Sequence, residues 1–195
     1  ARMVSVARGR PLAEMGSRRT GERSAVAAAR AAYIAGFKAT SNLEAGRSWG
    51  VPTMGTAAHS FTLLHDSERE AFASQVATLG AGTTLLVDTC DVREGVRLAV
   101  EVAGKELGGV RLDSGDLPTL VAEVRAQLDE LGNTDTNITV TNDLDEFAIA
   151  GLGADVDSRR DLARGAGHAP VGDQRNFVAA LLQHAEERRE LVQLG

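Results

Sequence analysis

Gly108-Gly109-Val110-Arg111-Leu112-Asp113-Ser114-Gly115-Asp116-Leu117 decides the fold of this chain. It reads as a short buried strand that turns polar at its end and then enters a helix, which is where α/β proteins place their chemistry. Arg111 offers a fixed fork of donors suited to phosphate or carboxylate. Asp113 offers acceptors for hydroxyls or a metal, and Ser114-Gly115 lets backbone N–H groups approach an anion closely. Asp116 stands at a capping position and Pro118 in the first turn of the helix. Leu117, Leu120, Val121, Val124, Leu128 and Leu131 repeat at helical spacing, and Gly132 ends the run. A single Arg-x-Asp more often holds a sheet together by pairing with itself or with a neighbouring strand, so at this point both roles stay open.

Upstream, the same pattern recurs. Residues 11–16 predict a short strand, followed by the polar loop Ser17-Arg18-Arg19-Thr20, whose adjacent arginines form either an anion clamp or a solvated basic corner. Glu22 to Phe37 is rich in alanine and predicts a helix with Val26, Ala29, Tyr33 and Phe37 on one face. Thr40-Ser41-Asn42 predicts a turn capping a short helix from Leu43 to Trp49, with ligand contact as the sharper alternative. Val51 to Thr56 reads as a second strand running into Gly55-Thr56-Ala57-Ala58-His59-Ser60-Phe61. Small residues around His59 leave its ring room to meet a ligand, although a lone histidine is more often structural. His65 reads as surface.

Ser67 predicts the cap of a helix over 67–78, and Gly82 to Asp88 is the clearest strand of the chain. Asp88 and Asp91 follow that strand, a spacing that suits a metal or a polyhydroxylated ligand, while Asp91 also suits the cap of a helix from Val92 to Ala103. Thr136 to Thr141 predicts a fifth strand, with Asp143 and Asp145 after it at the start of a helix through Phe147, Ile149 and Leu152. Five predicted strands thus end in polar clusters: Arg18-Arg19, His59-Ser60, Asp88-Asp91, Arg111-Asp113 and Asp143-Asp145. In a parallel barrel such ends converge on one face, so the five become one site. Residues 155–172 read as a long loop, and Gln174 to Leu194 predicts an amphipathic helix with no sixth strand. His168 and His184 take no role.

Composition bounds the function. At 195 residues the chain can bury a sizeable core but falls short of the roughly 250 of an eight-fold α/β barrel. A net charge of −6 without a basic stripe argues against nucleic acid as a partner. The single cysteine, Cys90, cannot form an internal disulfide and suits a reducing cytoplasm. No apolar run is long enough to span a membrane, and no signal peptide is visible. The chain opens at Ala1 without a methionine, which reads as a sign of truncation.

The motifs Glu14-Met15-Gly16-Ser17-Arg18-Arg19, Ala39-Thr40-Ser41-Asn42, Gly55 to Phe61, Asp88-Thr89-Cys90-Asp91, Val110 to Leu117 and Asn142-Asp143-Leu144-Asp145-Glu146 together resemble nicotinate phosphoribosyltransferase, most of all its actinobacterial type. The resemblance covers roughly the first three quarters of the chain. It implies an incomplete (β/α) barrel of the type II phosphoribosyltransferase kind over residues 1–153, with a divergent loop and helical C-terminal tail over 154–195. It also implies the chemistry of NAD salvage: nicotinate and 5-phosphoribosyl 1-pyrophosphate become nicotinate mononucleotide and pyrophosphate, with ATP as co-substrate and Mg2+ required. In that scheme Arg18, Arg19 and Arg111 face nicotinate and phosphates. Asp88, Asp113 and either Asp143 or Asp145 serve ribose, pyrophosphate or magnesium, with Ser60, Ser114 and Gly115 beside them, and His59 carries the phosphoryl group. Ser41 stands where the related nicotinamide enzymes carry an acidic residue, and a neutral side chain there avoids repelling a carboxylate.

Departures from the family pattern are equally specific. The family's N-terminal α/β domain is not seen, and Val156-Asp157-Ser158 is followed by Arg159-Arg160-Asp161-Leu162 rather than a glycine-rich phosphate loop. Cys90 replaces a tyrosine. The expectation is a cytoplasmic enzyme of the ATP-dependent ligase class, a homodimer when complete. The alternative is a catalytically inactive remnant that acts at most as a ligand-binding or association module.

Overall fold

The computed structural model describes residues 1–152 and 176–180. Helices α1 (Arg2–Val6), α2 (Glu22–Ile34), α3 (Leu43–Trp49), α4 (His59–Leu63), α5 (Glu68–Leu79), α6 (Val92–Ala103) and α7 (Leu117–Glu130) are interspersed with strands, α3, α4 and α5 lying in succession between two of them. These strands are β1 (Leu12–Glu14), β2 (Ala39–Thr40), β3 (Thr84–Leu86), β4 (Gly109–Leu112), β5 (Asn137–Val140) and β6 (Asn176–Ala180). Residues 146–152 are also helical. The strands form one sheet in the order β2-β1-β6-β5-β4-β3, and every pairing in it is parallel. Parallel pairs need crossover connections, and the intervening helices supply them.

Register explains which side chains meet the helices. Leu85, Val110 and Ile138 share one rung, and, two residues on, Leu112 and Val140 share another, which Val87 joins with its N–H donating to the Arg111 carbonyl. All six side chains enter the core with Phe72, Val96, Ala99, Val121, Val124 and Leu128 from α5, α6 and α7. Leu86, Arg111 and Thr139 occupy the rung between, so they point to the opposite face. α6 lies close against the end of β3. A Cβ on Gly95 would stand 2.5 Å from the Val87 carbonyl oxygen, so only glycine permits that approach.

Caps follow the sequence where a side chain could reach. Asn42 caps α3, Ser67 caps α5 and Asp91 caps α6, each accepting from the backbone N–H three residues on. Arg125 on α7 is buried and fully engaged. It donates to the carbonyls of Thr136 (2.7 Å) and Asn133 (2.9 Å) and pairs with Asp129, fastening the turn between α7 and β5.

Several expectations are corrected. The second strand is Ala39–Thr40, not 51–56, of which only Thr53 forms a bridge, parallel to Thr40. Pro52 explains this in part, because it has no N–H to give to a ladder and only its carbonyl is used, by the Thr40 N–H. On α2 the buried positions are Ala25, Ala29 and Ala32, while Tyr33 is exposed; alanines allow close packing that a tyrosine would prevent. The expected helix at 174–194 is interrupted by a sixth strand, because residues 176–180 pair with β1 on one side and β5 on the other. A short apolar run such as Phe177-Val178-Ala179-Ala180 has no period that separates a buried strand from a helix face. The rest of that helix, the loop at 155–172, His168 and His184 lie outside the described residues.

Candidate active site

The polar end of β4 gathers the site. Arg111 projects from the face of the sheet opposite the helices, and its guanidinium spends every arm. Nε donates to Thr141 Oγ1 (2.7 Å), Nη1 to Thr56 Oγ1 (2.6 Å) and the Ala57 carbonyl (3.1 Å), and Nη2 to Asp113 Oδ1 (2.6 Å). Thr56 and Ala57 follow the Thr53 bridge beyond β2, at one edge of the sheet, whereas β4 lies next to the other edge. The sheet is therefore curled enough for one arginine to span from edge to edge.

Asp88, just beyond β3, completes the cluster. Its side chain is only 2% exposed. Oδ1 meets His59 Nε2 at 3.2 Å, while Oδ2 accepts from the Asp113 backbone N–H (2.8 Å) and the Ser114 hydroxyl (2.7 Å). The N–H and O–H groups at the end of β4 thus hold an anion, and that anion is Asp88. His59 opens the short helix α4, and its side chain remains 38% exposed. In the tautomer that gives Nε2–H to Asp88, Nδ1 carries the lone pair, and no hydrogen bond reaches it from the described residues.

Asp113 is placed for acceptance. Its Oδ1 takes hydrogen bonds from Arg111 and Thr141, and Oδ2 takes none from the described residues. Burial works against ionisation of this carboxyl, but the hydrogen bonds from Thr141 and Arg111, with the charge of Arg111, hold its pKa below the usual value. Gly115 turns the chain from this cluster into α7 at φ +81°, a left-handed conformation, with Leu120 Cδ1 where a Cβ would need room.

Next to Asp88 lies a knot of acids at the starts of α5 and α6. Burial first, then repulsion from Glu94, Asp88 and Asp91, raises the pKa of Glu68. Glu68 Oε1 and Thr89 Oγ1 are buried without a hydrogen-bond partner among the described residues.

Other candidates are distributed around this centre. Arg19, in the turn Ser17–Arg19, pairs with Asp143 beyond β5, joining the first and fifth polar clusters. Arg18 is exposed in the same turn, and Ser60 is exposed beside His59. Asp145 is a helix cap: its Oδ1 accepts from the N–H groups of Phe147 (3.0 Å) and Ala148 (2.8 Å), which leaves it a structural duty. Ser41 lines a cleft of about 620 Å³ with Ser17, Glu22, Arg23, Asn42 and Glu44, separate from the Arg111 cluster. Asp91 serves its helix, and Asp88 serves the cluster. Thr56, Ala57 and Thr141 were not anticipated; they are neutral partners from distant turns, and no local spacing signals them. Glu14, in the first of the motifs, is buried at 1% exposure.

No family model matches the chain. The chain is 63% identical over 167 residues to nicotinate phosphoribosyltransferase pncB1 of Mycobacterium tuberculosis, covering 81% of this chain and 37% of that relative. The crystal structure of nicotinate-nucleotide pyrophosphorylase from Pyrococcus furiosus is similar with a TM-score of 0.75 at 25% identity, covering 92% of this chain and 43% of that one. Human nicotinic acid phosphoribosyltransferase is similar with a TM-score of 0.65 at 26% identity, covering 92% and 45%. The chain spans about a third of the length of the curated relatives it matches.

Proposed function

We propose, for a chain that belongs to the nicotinate phosphoribosyltransferase family, that the cluster built on Arg111 performs transfer of a phosphoribosyl group to nicotinate. In this reaction the bond from ribose C1 to pyrophosphate breaks and a bond from C1 to the pyridine nitrogen forms with that nitrogen's own lone pair. Pyrophosphate leaves as an anion and the ribose becomes electron-poor, so catalysis needs fixed acceptors at the ribose and cations at the phosphates. The observation that carries the reading is Asp113 Oδ2, which takes no hydrogen bond from the described residues while Arg111 and Thr141 hold Oδ1 and Asp88 holds the backbone N–H. It can accept from a ribose hydroxyl.

His59 is the residue for ATP coupling. Its Nδ1 takes the γ-phosphoryl group as the bond to ADP breaks, and Asp88 stabilises the positive ring that results. Hydrolysis of that labile link then favours product. Magnesium fits this site as a phosphate-bound ion. Among the described residues no three acidic, histidine or cysteine side chains are grouped to cage a metal; within the Arg111 cluster, Asp113 Oδ2 is the carboxylate oxygen that takes no hydrogen bond from the described residues and could reach one. A magnesium ion held largely by substrate phosphates needs only one or two carboxylates, and it would neutralise the leaving pyrophosphate.

The cleft lined by Arg23 and Ser41, with Glu22 and Glu44 also on its wall, is read as the nicotinate subsite, where the Arg23 cation and the neutral Ser41 hydroxyl can meet a carboxylate; Arg18 is exposed in the adjoining turn. The curled parallel sheet fits part of a type II phosphoribosyltransferase barrel, in a homodimeric cytoplasmic enzyme. The test supplies labelled nicotinate, 5-phosphoribosyl 1-pyrophosphate, ATP and magnesium to the protein in its full native form. Labelled nicotinate mononucleotide is expected. Nicotinate binding by calorimetry with no product would instead favour the ligand-binding remnant, and neither binding nor product would overturn both.

A further inference from the structure

Glu14 ends β1 with its carboxylate inside the protein, 1% exposed, and with no cation against it among the described residues. A buried carboxylate is costly unless hydrogen bonds replace its water, and an apolar residue of similar size would often be as stable. Here both oxygens are engaged. Oε1 accepts from the Gly16 N–H at 2.5 Å, and Oε2 accepts from the Thr40 hydroxyl at 2.6 Å. Thr40 Oγ1 in turn accepts from the Asn42 N–H (3.0 Å), and Asn42 Nδ2 donates to Ser17 Oγ (3.0 Å). Ser17 follows Gly16, so the bonds close into a ring. A backbone bond from the Ser41 N–H to the Glu14 carbonyl (2.8 Å) lies across it.

The ring joins two separate turns. One is Ser17–Arg19, which carries Arg18 and Arg19; the other runs from Thr40 to Asn42 and carries Ser41. These turns border the same cleft, through Ser17 on one side and Ser41 and Asn42 on the other. The register of β1 and β2 ends at Glu14 and Thr40 with the Ser41 N–H bond to the Glu14 carbonyl, and beyond it the bonds between the turns that bear Ser17 and Asn42 come from side chains.

We infer that Glu14 is a positioning residue for the anionic substrate. It clamps the arginine-bearing turn to the Ser41 turn, so that a carboxylate-bearing ring meets both at a fixed separation. This inference rests on the reading of that cleft as the nicotinate subsite. Glu14 does not touch the substrate and takes no part in bond making.

The test compares wild type, Glu14→Gln, Thr40→Val and Thr40→Ser in the full native protein, by amide hydrogen exchange and by steady-state kinetics. Gln offers one acceptor oxygen in place of two, Val removes the hydroxyl, and Ser keeps it. Losing one such bond should speed exchange at Gly16 and Asn42 by about tenfold and raise KM for nicotinate by about tenfold, leaving kcat and exchange in β4 and β5 near wild type. Thr40→Ser should behave as wild type in both. Unchanged exchange and KM in Thr40→Val overturns the inference, as does a uniform rise in exchange over the whole sheet with kcat falling. If Glu14→Gln does not fold, the two Thr40 variants decide alone. If wild type does not turn over nicotinate, the reading of the cleft fails, and unchanged exchange in Thr40→Val would separately overturn the clamp.

Discussion

Asp88 holds His59 with one carboxylate oxygen and the Asp113–Ser114 turn with the other, so a single buried side chain sets the distance between the histidine and the end of β4. Asparagine cannot replace it, because the amide has only one acceptor and would turn its NH2 toward another donor. Asp88→Asn should lower ATP-coupled kcat about 100-fold, within the range for loss of acid–base support. Steady-state assays of nicotinate mononucleotide formation check this, and an unchanged kcat would remove Asp88 from the site.

Gly115 links this cluster to α7 with φ +81°, and Leu120 Cδ1 lies 2.8 Å from where a Cβ would sit. The leucine end can yield, but the left-handed backbone cannot be relieved without moving the turn. Gly115→Ala should destabilise the fold by about 1–2 kcal/mol. Urea denaturation with an unchanged midpoint would show that the turn relaxes freely.

Glu68 gives a pH signature. Burial and the neighbouring carboxylates raise its pKa in the fold above the ordinary 4.5, so folding favours its neutral form. That contribution is fully present below the unfolded pKa and is lost as pH rises through the folded value, leaving a penalty at neutral pH. Glu68→Gln should therefore melt a little higher than wild type at about pH 7, with the difference shrinking toward about pH 4. Thermal melts across that range check it, and a variant less stable at neutral pH would contradict the account.

The sheet and the centre of the site were legible where chemistry and periodicity coincide. Val110 and Leu112 alternate with Arg111, and the run from Leu117 to Leu128 matches the buried face of α7. Asp91 and Asp88 were both open to a functional role, and only geometry separates the cap from the cluster. Two-residue β2 is too short to leave a period, and β6 offers an apolar run without one. The partners of Arg111 arrive from Thr56, 55 positions away, and Thr141, 30 positions away, so no local window contains them. Glu14 escaped notice as a charged residue inside an apolar strand because its donors, Gly16 and Thr40, carry no charge to suggest a pair.

Phosphorylation of His59 tests the central claim most directly. The protein in its full native form, incubated with γ-labelled ATP and magnesium, should carry acid-labile label on the peptide containing His59. His59→Ala should abolish that label, and Asp88→Asn should reduce it. Full labelling of the His59→Ala variant, or label on His65 in its place, would contradict the account.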